Sequence, residues 1–142
     1  MAIAVLYNVA VLVNSVDLSS KCHKAKVTFG QEKKETTAFG NTKHTYINGL
    51  GMDSLELEFY LDRSSGSTVQ TLRALTGFST STFPINIRAN NSAATTSNEV
   101  YTANMVLDGG FDAINGSVGD VELTTVKFAN ASASGWTVST TS

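Results

Sequence analysis

Charge is scarce in this chain: only 15% of its residues are Asp, Glu, Lys or Arg, against about a quarter in an average globular domain. Ten basic and twelve acidic residues leave a formal charge of −2. No basic excess is present to release counterions from a nucleic acid, which excludes tight DNA binding by the monomer. Cysteine is rarer still. Cys22 alone permits no intrachain disulfide, so the fold does not depend on an oxidising compartment. His23 and His44 are the only histidines, too few beside one cysteine for a metal cluster, and no metal or cofactor is expected. No run reaches the roughly 18 apolar residues that a membrane-spanning helix needs. The apolar start, Met1 to Val13, has no basic segment before Lys21 and is interrupted by Asn8, so it is not expected to be a signal peptide.

What the chain does hold is hydroxyl. Sixteen Ser and eighteen Thr make 34 of 142 positions, joined by 11 Asn and 11 Gly. With 42% hydrophobic residues there is enough apolar material for one core, and the length fits a single domain spanning 1–142. The three N-x-S/T sequons at Asn90, Asn115 and Asn130 are no more than this composition produces by chance.

Period-2 alternation marks the strands. Over Cys22 to Phe29, His23, Ala25, Val27 and Phe29 share one side and Lys24, Lys26 and Thr28 the other. Over Ser54 to Asp62, Leu55, Leu57, Phe59 and Leu61 point one way and Glu56, Glu58 and Tyr60 the other. If these two strands pair, Lys24 and Lys26 face Glu56 and Glu58 across the ladder. Between them Gly30 to Thr45 has no clear period and reads as a long loop or mobile hairpin, longer than most connections. A helix of about residues 67–76 is announced by the Ser67 and Gln70 capping-box spacing, with Gly77 at the left-handed exit position. Val69, Leu72 and Leu75 form its apolar stripe. Phe83 to Ala89 is a strand whose Pro84 suits a first-residue or edge position, and Asn90 to Asn98 a small polar loop. Val100 to Leu107 and Val121 to Phe128 are the last strands, with Val126 and Phe128 buried and a bulge expected near Gly119-Asp120. The tail, 130–142, is Ser/Thr/Ala-rich apart from Trp136 and is expected to be weakly ordered.

Chemistry-bearing constellations are missing. There is no nucleophile elbow, phosphate-binding loop or paired-cysteine motif. His23, on the apolar side of its strand, reads as a core histidine and His44 as a solvated one. Asp108-Gly109-Gly110-Phe111-Asp112 reads as a turn, not a calcium loop. Glu56 and Glu58, about 7 Å apart by strand rise, have glycosidase-like spacing but face lysines. No enzymatic activity is expected.

Several segments carry a resemblance: Val13-Asn14-Ser15-Val16-Asp17-Leu18-Ser19, Thr36-Thr37-Ala38-Phe39-Gly40-Asn41-Thr42, Ile47-Asn48-Gly49-Leu50 leading into Leu55-Glu56-Leu57-Glu58-Phe59, Gly116-Ser117-Val118-Gly119-Asp120, and Val126-Lys127-Phe128. In this order, over about residues 11 to 130, the chain resembles the major tail proteins, or tail tube proteins, of long non-contractile-tailed bacteriophages, whose fold is related to contractile-tail and type VI secretion tube proteins. The resemblance implies a mainly β fold, a β-sandwich or barrel of two antiparallel sheets with one short flanking helix. It implies a virion protein, assembled in the host cytoplasm, whose hexameric rings stack into a tube that conducts DNA without binding it. A tape measure protein and a tail terminator are the implied partners. The segment 1–13 would be an N-terminal arm and 30–45 an inter-ring loop, with Lys33, Lys34, Thr36 and Phe39 as its contact candidates. Strands containing Lys24, Glu56, Thr102 and Thr125 would line the bore, making Lys24, Lys26, Glu56, Glu58, Thr102, Asn104, Thr125 and Lys127 the lumen-facing candidates. Six subunits with four such strands each give roughly 24 strands and a bore of about 40 Å after side chains. Two other readings fit the composition: an Ig-like binding or decoration module using the loops at 30–45 and 90–98, and a minor tail or head-tail joining component that makes one ring and no tube.

Overall fold

In the computed structural model, which describes residues 9–76, 82–96 and 98–141, the alternation of Ser54 to Tyr60 becomes an interior strand with Leu55, Leu57 and Phe59 buried. In chain order the elements are β1 (Ala10–Val13), β2 (Val16–Asp17), a 3-10 turn (Ser19–Lys21), β3 (Cys22–Thr28), β4 (Gln31–Glu35), β5 (Tyr46–Gly51), β6 (Ser54–Tyr60), α1 (Thr68–Leu75), β7 (Phe83–Arg88), β8 (Val100–Leu107), β9 (Leu123–Asn130) and β10 (Thr137–Ser139). All pairings are antiparallel. One large sheet runs β2-β1-β7-β8-β9-β6-β3 with β10 added on β8, and β4 and β5 form a second, small sheet. Among the described residues the chain is thus mainly β, with one large and one two-stranded antiparallel sheet and one short helix, the mainly β class that the resemblance implies.

The large sheet turns at β8. That strand pairs with β7 from Val100 to Met105, but with β9 only over Met105 to Leu107, and β10 takes the same edge at Val100 to Thr102. The two halves can therefore fold toward each other, as strands that switch sheets do at the corners of sandwiches. Their inner faces share one core: Val11, Val13, Ile85, Ile87, Ala103 and Met105 from one half, and Leu55, Leu57, Phe59, Val126 and Phe128 from the other. Phe83 and Phe128 meet edge to face at 5.8 Å across the fold, a geometry that adds to their area burial.

Helix α1 closes this core with Leu72, which is fully buried. Its entry is fixed differently from the expected capping box. Ser67 makes no side-chain cap bond, and Gln70 Oε1 accepts from the Gly66 amide at 3.1 Å. The buried Thr68 hydroxyl does the anchoring, donating to Tyr60 O at 2.8 Å and accepting from the Asp62 amide at 2.9 Å. Beside it the Ser64 amide and hydroxyl hold the Asp62 carboxyl well below the usual carboxylate range. Gly77 lies outside the described residues.

Several expectations are corrected. Ala10–Val13 is a core strand on β7, not part of an arm; Met1 to Asn8 lie outside the described residues. A register shift between Cys22 and Lys24 turns Cys22 toward the core and leaves His23 exposed, so His23 is not a core histidine. Of the two forms expected for Gly30 to Thr45, loop or hairpin, the hairpin is the one present: Gln31–Glu35 is β4 and pairs with β5. Pro84 sits in an interior strand, tolerated because β1 ends opposite Ile85 and Pro84 O still accepts from the Asn14 amide at 2.8 Å. No bulge forms near Gly119-Asp120, since β9 begins only at Leu123 and 108–122 is a loop.

The tail is not loose either. Trp136 is buried, its amide donates to Asp53 Oδ2 at 2.9 Å, and β10 completes the ladder on β8. The turn into it needs Gly135, whose φ is +66° and whose missing Cβ makes room for the Asp53 carboxylate. Gly135→Ala therefore combines left-handed strain with a clash and should cost about 1–3 kcal/mol. Thermal unfolding and limited proteolysis check this, the variant melting lower and losing the tail first while the parent resists.

Candidate assembly surface

The outer face of β3, β6 and β9 is built by the same alternation that builds the core beneath it. Register sets Lys26 opposite Glu56 and Glu56 opposite Lys127; the next row is Lys24, Glu58 and Thr125. Six of the eight lumen-facing candidates therefore stand on one three-stranded face, in two rows of alternating sign. Cross-strand pairs of this kind contribute roughly 0.2–1 kcal/mol each. Lys26, Glu56, Lys127 and Asp108 share a hollow of about 230 Å³. At the far end of the face His23 accepts or donates at Nδ1 to the Tyr60 hydroxyl, 3.1 Å away, and its Nε2 lies 3.8 Å from Glu58.

Thr102 and Asn104 are not on this face. Their ladder neighbours are Asn86, Pro84 and Thr137, and they line a separate hollow of about 450 Å³ on the β7-β8 half with Ser132 and Ser134. Asn86 Oδ1, buried in that half, has no hydrogen-bond partner among the described residues.

The inter-ring candidates lie on the β4–β5 hairpin and its tip. Lys33 Nζ stands over the Tyr46 ring at 4.4 Å, Lys34 pairs with Glu32, and the Thr36 amide donates to Thr45 O at 2.8 Å, closing the neck. Phe39 at the tip is fully exposed, and Ile47, Leu50 and Met52 are bare on the returning strand. The sequence names none of these three as a contact candidate, nor Ile114, Val118 and Val121, which are exposed on the 108–122 loop; Ile47, Leu50 and Val118 enter it only through the resemblance and Val121 as the expected start of a strand. The signal was available: each is apolar yet out of phase with any strand's buried face.

Cys22 is held away from chemistry. Its thiol donates to Lys24 O at 3.3 Å, and burial, with the Glu58 charge adding, pushes it up to about 11. No group of three or more His, Cys, Asp or Glu side chains is placed to hold a metal ion among the described residues, and no described helix is long and apolar enough to cross a membrane.

No protein-family model and no curated protein matches the sequence. Solved structures match the fold. The chain is similar to the sheath/tube terminator of an extracellular contractile injection system, PVC, in its extended state, at TM-score 0.68 and 9% identity over 98% of both chains. It is similar to a chain of the tail of an empty GTA particle with C6 symmetry, at TM-score 0.60 and 11% identity over 86% of this chain and 83% of that one. A chain of the six-fold symmetrised baseplate of the anti-feeding prophage gives TM-score 0.57 and 15% identity, covering 98% and 97%. The fold is thus one shared with chains of a sheath/tube terminator, a particle tail and a prophage baseplate.

A thiol moved from 9.0 to about 11 carries roughly a hundredfold less thiolate at pH 8. Folded protein should react with a thiol-specific reagent at least about tenfold more slowly than denatured protein, since the higher nucleophilicity of a more basic thiolate offsets part of its scarcity, and the rate should climb as pH rises toward 11. Equal rates in both states would show the thiol to be open.

Proposed function

We propose that this chain is a structural tail component whose copies form six-membered rings that stack into a tube, with the β3-β6-β9 polar face lining the bore. The observation that carries the reading is that face itself. Rows of Lys, Glu, Lys and Lys, Glu, Thr interleave three lysines with two glutamates, and Asp108 beside them in the hollow brings the carboxylates to three, so a passing phosphate backbone meets no uncompensated cationic stripe. A conduit needs that balance, because each phosphate neutralised in a long tube would add salt-dependent affinity and hold the DNA. The likeness in fold to chains of a C6 tail and a six-fold baseplate, over 86% and 98% of this chain, supports ring formation, assembly partners in the tail and a place in a virion-like particle.

A second reading, a terminator that makes one ring, is favoured by the likeness to the sheath/tube terminator over 98% of the chain. Negative-stain microscopy of the concentrated protein separates the two, long tubes with a ring repeat against single rings. For the bore, Glu56→Lys with Glu58→Lys removes both carboxylates and leaves the rows Lys, Lys, Lys and Lys, Lys, Thr. Assembly should persist, while DNA ejection from particles carrying the variant slows by about tenfold or more, in line with the steep salt-dependent term of several added phosphate contacts. Unchanged ejection would take the face out of the bore.

A further inference from the structure

Two Asn-Gly steps occur in the chain, Asn48-Gly49 and Asn115-Gly116. In such a step the second residue has no Cβ, so its amide nitrogen can close on the asparagine side-chain carbonyl with little steric hindrance. Sequence alone treats the two steps alike. The structure separates them, because ring closure needs a backbone that can turn and an amide that is not already donating.

Asn48 lies within β5, opposite Lys33 of β4. Its neighbour is held as well, since Gly49 O accepts from Gln31 Nε2 at 2.7 Å. To bring Asn48 Cγ onto the Gly49 nitrogen the hairpin ladder must first open. Asn115 lies instead in the irregular stretch between β8 and β9, and both it and Gly116 are exposed. Among the described residues the Gly116 amide has no hydrogen-bond acceptor. Asn115 itself is positioned twice. Its backbone N–H faces the Glu122 carboxylate, which Arg63 holds at 2.6 Å, and its Nδ2 donates to Leu123 O at 2.8 Å. For the side chain to turn toward Gly116, the bond to give up is that last, exposed one.

We propose that Asn115 is a site of spontaneous self-modification in the folded protein. The Gly116 nitrogen attacks Asn115 Cγ and loses its proton; a Cγ–N bond forms, the Cγ–Nδ2 bond breaks, and Nδ2 takes up a proton and leaves as ammonia. Water then opens the cyclic imide at one of its two carbonyls, giving aspartate, or isoaspartate with the main chain rerouted through Cγ. The group lost is the one that ties the loop to β9. A carboxylate oxygen then faces Leu123 O where an N–H stood, acceptor against acceptor, and the tie becomes a repulsion. The step adds one negative charge to the formal −2 of the chain, in a segment, 111–122, that already holds Asp112, Asp120 and Glu122 and no Lys or Arg. Ile114, Val118 and Val121, 80%, 107% and 70% exposed, ride on the same segment, so this apolar patch loses its fixed shape as the protein ages. The site stands apart from the tail reading and holds or fails whether or not copies assemble.

Peptide mapping by mass spectrometry of the full-length chain, incubated at mildly alkaline pH and sampled over weeks, is the test. The mass gain of an amide turned acid should run at least about threefold faster at Asn115 than at Asn48 in folded protein, and the two rates should converge in denaturant, where no ladder protects either. The Asn115 rate should rise with pH, because the attacking nitrogen must lose its proton. Asn115→Gln keeps an amide but has to close a larger, slower ring, and should stay unmodified over the same period. Asn115→Asp supplies one product from the start. In that variant, amides of 108–122 should exchange hydrogen roughly fivefold or more faster than in the parent, the equivalent of one lost hydrogen bond, while the core melts as before. An Asn115 that keeps its amide while the denatured chain converts, or an Asn48 that leads, overturns the site. An Asn115→Asp chain whose loop exchanges like the parent's overturns the loosening.

Discussion

Strand β6 has Leu55, Leu57 and Phe59 sealed in the core and Glu56 and Glu58 on the opposite face, and the rest of the molecule depends on that register. It is paired on both sides, by β3 and by β9. A one-residue slip would bury two carboxylates among aliphatic groups and expose a phenylalanine, so the register is strongly specified. From it follow the position of Val126 and Phe128 across the ladder, the floor on which Leu72 of α1 rests, and the two charged rows of the outer face. Core and polar face are one decision made twice, on alternate residues of one strand.

The alternation is why so much was legible. The β6, β8 and helix segments, the Lys24–Glu58 and Lys26–Glu56 pairing, and the burial of Val126 and Phe128 all follow from local pattern. What pattern does not carry is any event that resets the phase. At Cys22 and His23 a register shift exchanges which residue faces inward, and nothing in the letters marks it. Trp136 and β10 are held by Asp53, 83 positions away, and a Ser/Thr/Ala-rich segment gives no local sign of that partner. Ala10–Val13 reads as an apolar arm only while β7 is unseen.

The candidate surface divided along the same line. Residues on strands with clean alternation were placed together, whereas Thr102 and Asn104 were assigned to the same face by element order alone. The turn of the sheet at β8 places them on a different half, because the second edge of β8 is taken by β10 at Val100 to Thr102 and by β9 only from Met105 to Leu107. The exposed aliphatics of the hairpin and of the 111–122 loop are out of phase with any buried face, a sign that is weak taken singly because a lone apolar residue in a polar loop is ordinary.

The orientation of the polar face of β3, β6 and β9 is the central claim of the proposed function. A cryo-electron microscopy map of the purified assembly tests it most directly. The account predicts a six-fold ring in which Lys26, Glu56 and Lys127 border the central channel; a map with those side chains on the outer wall, or buried between subunits, would contradict it.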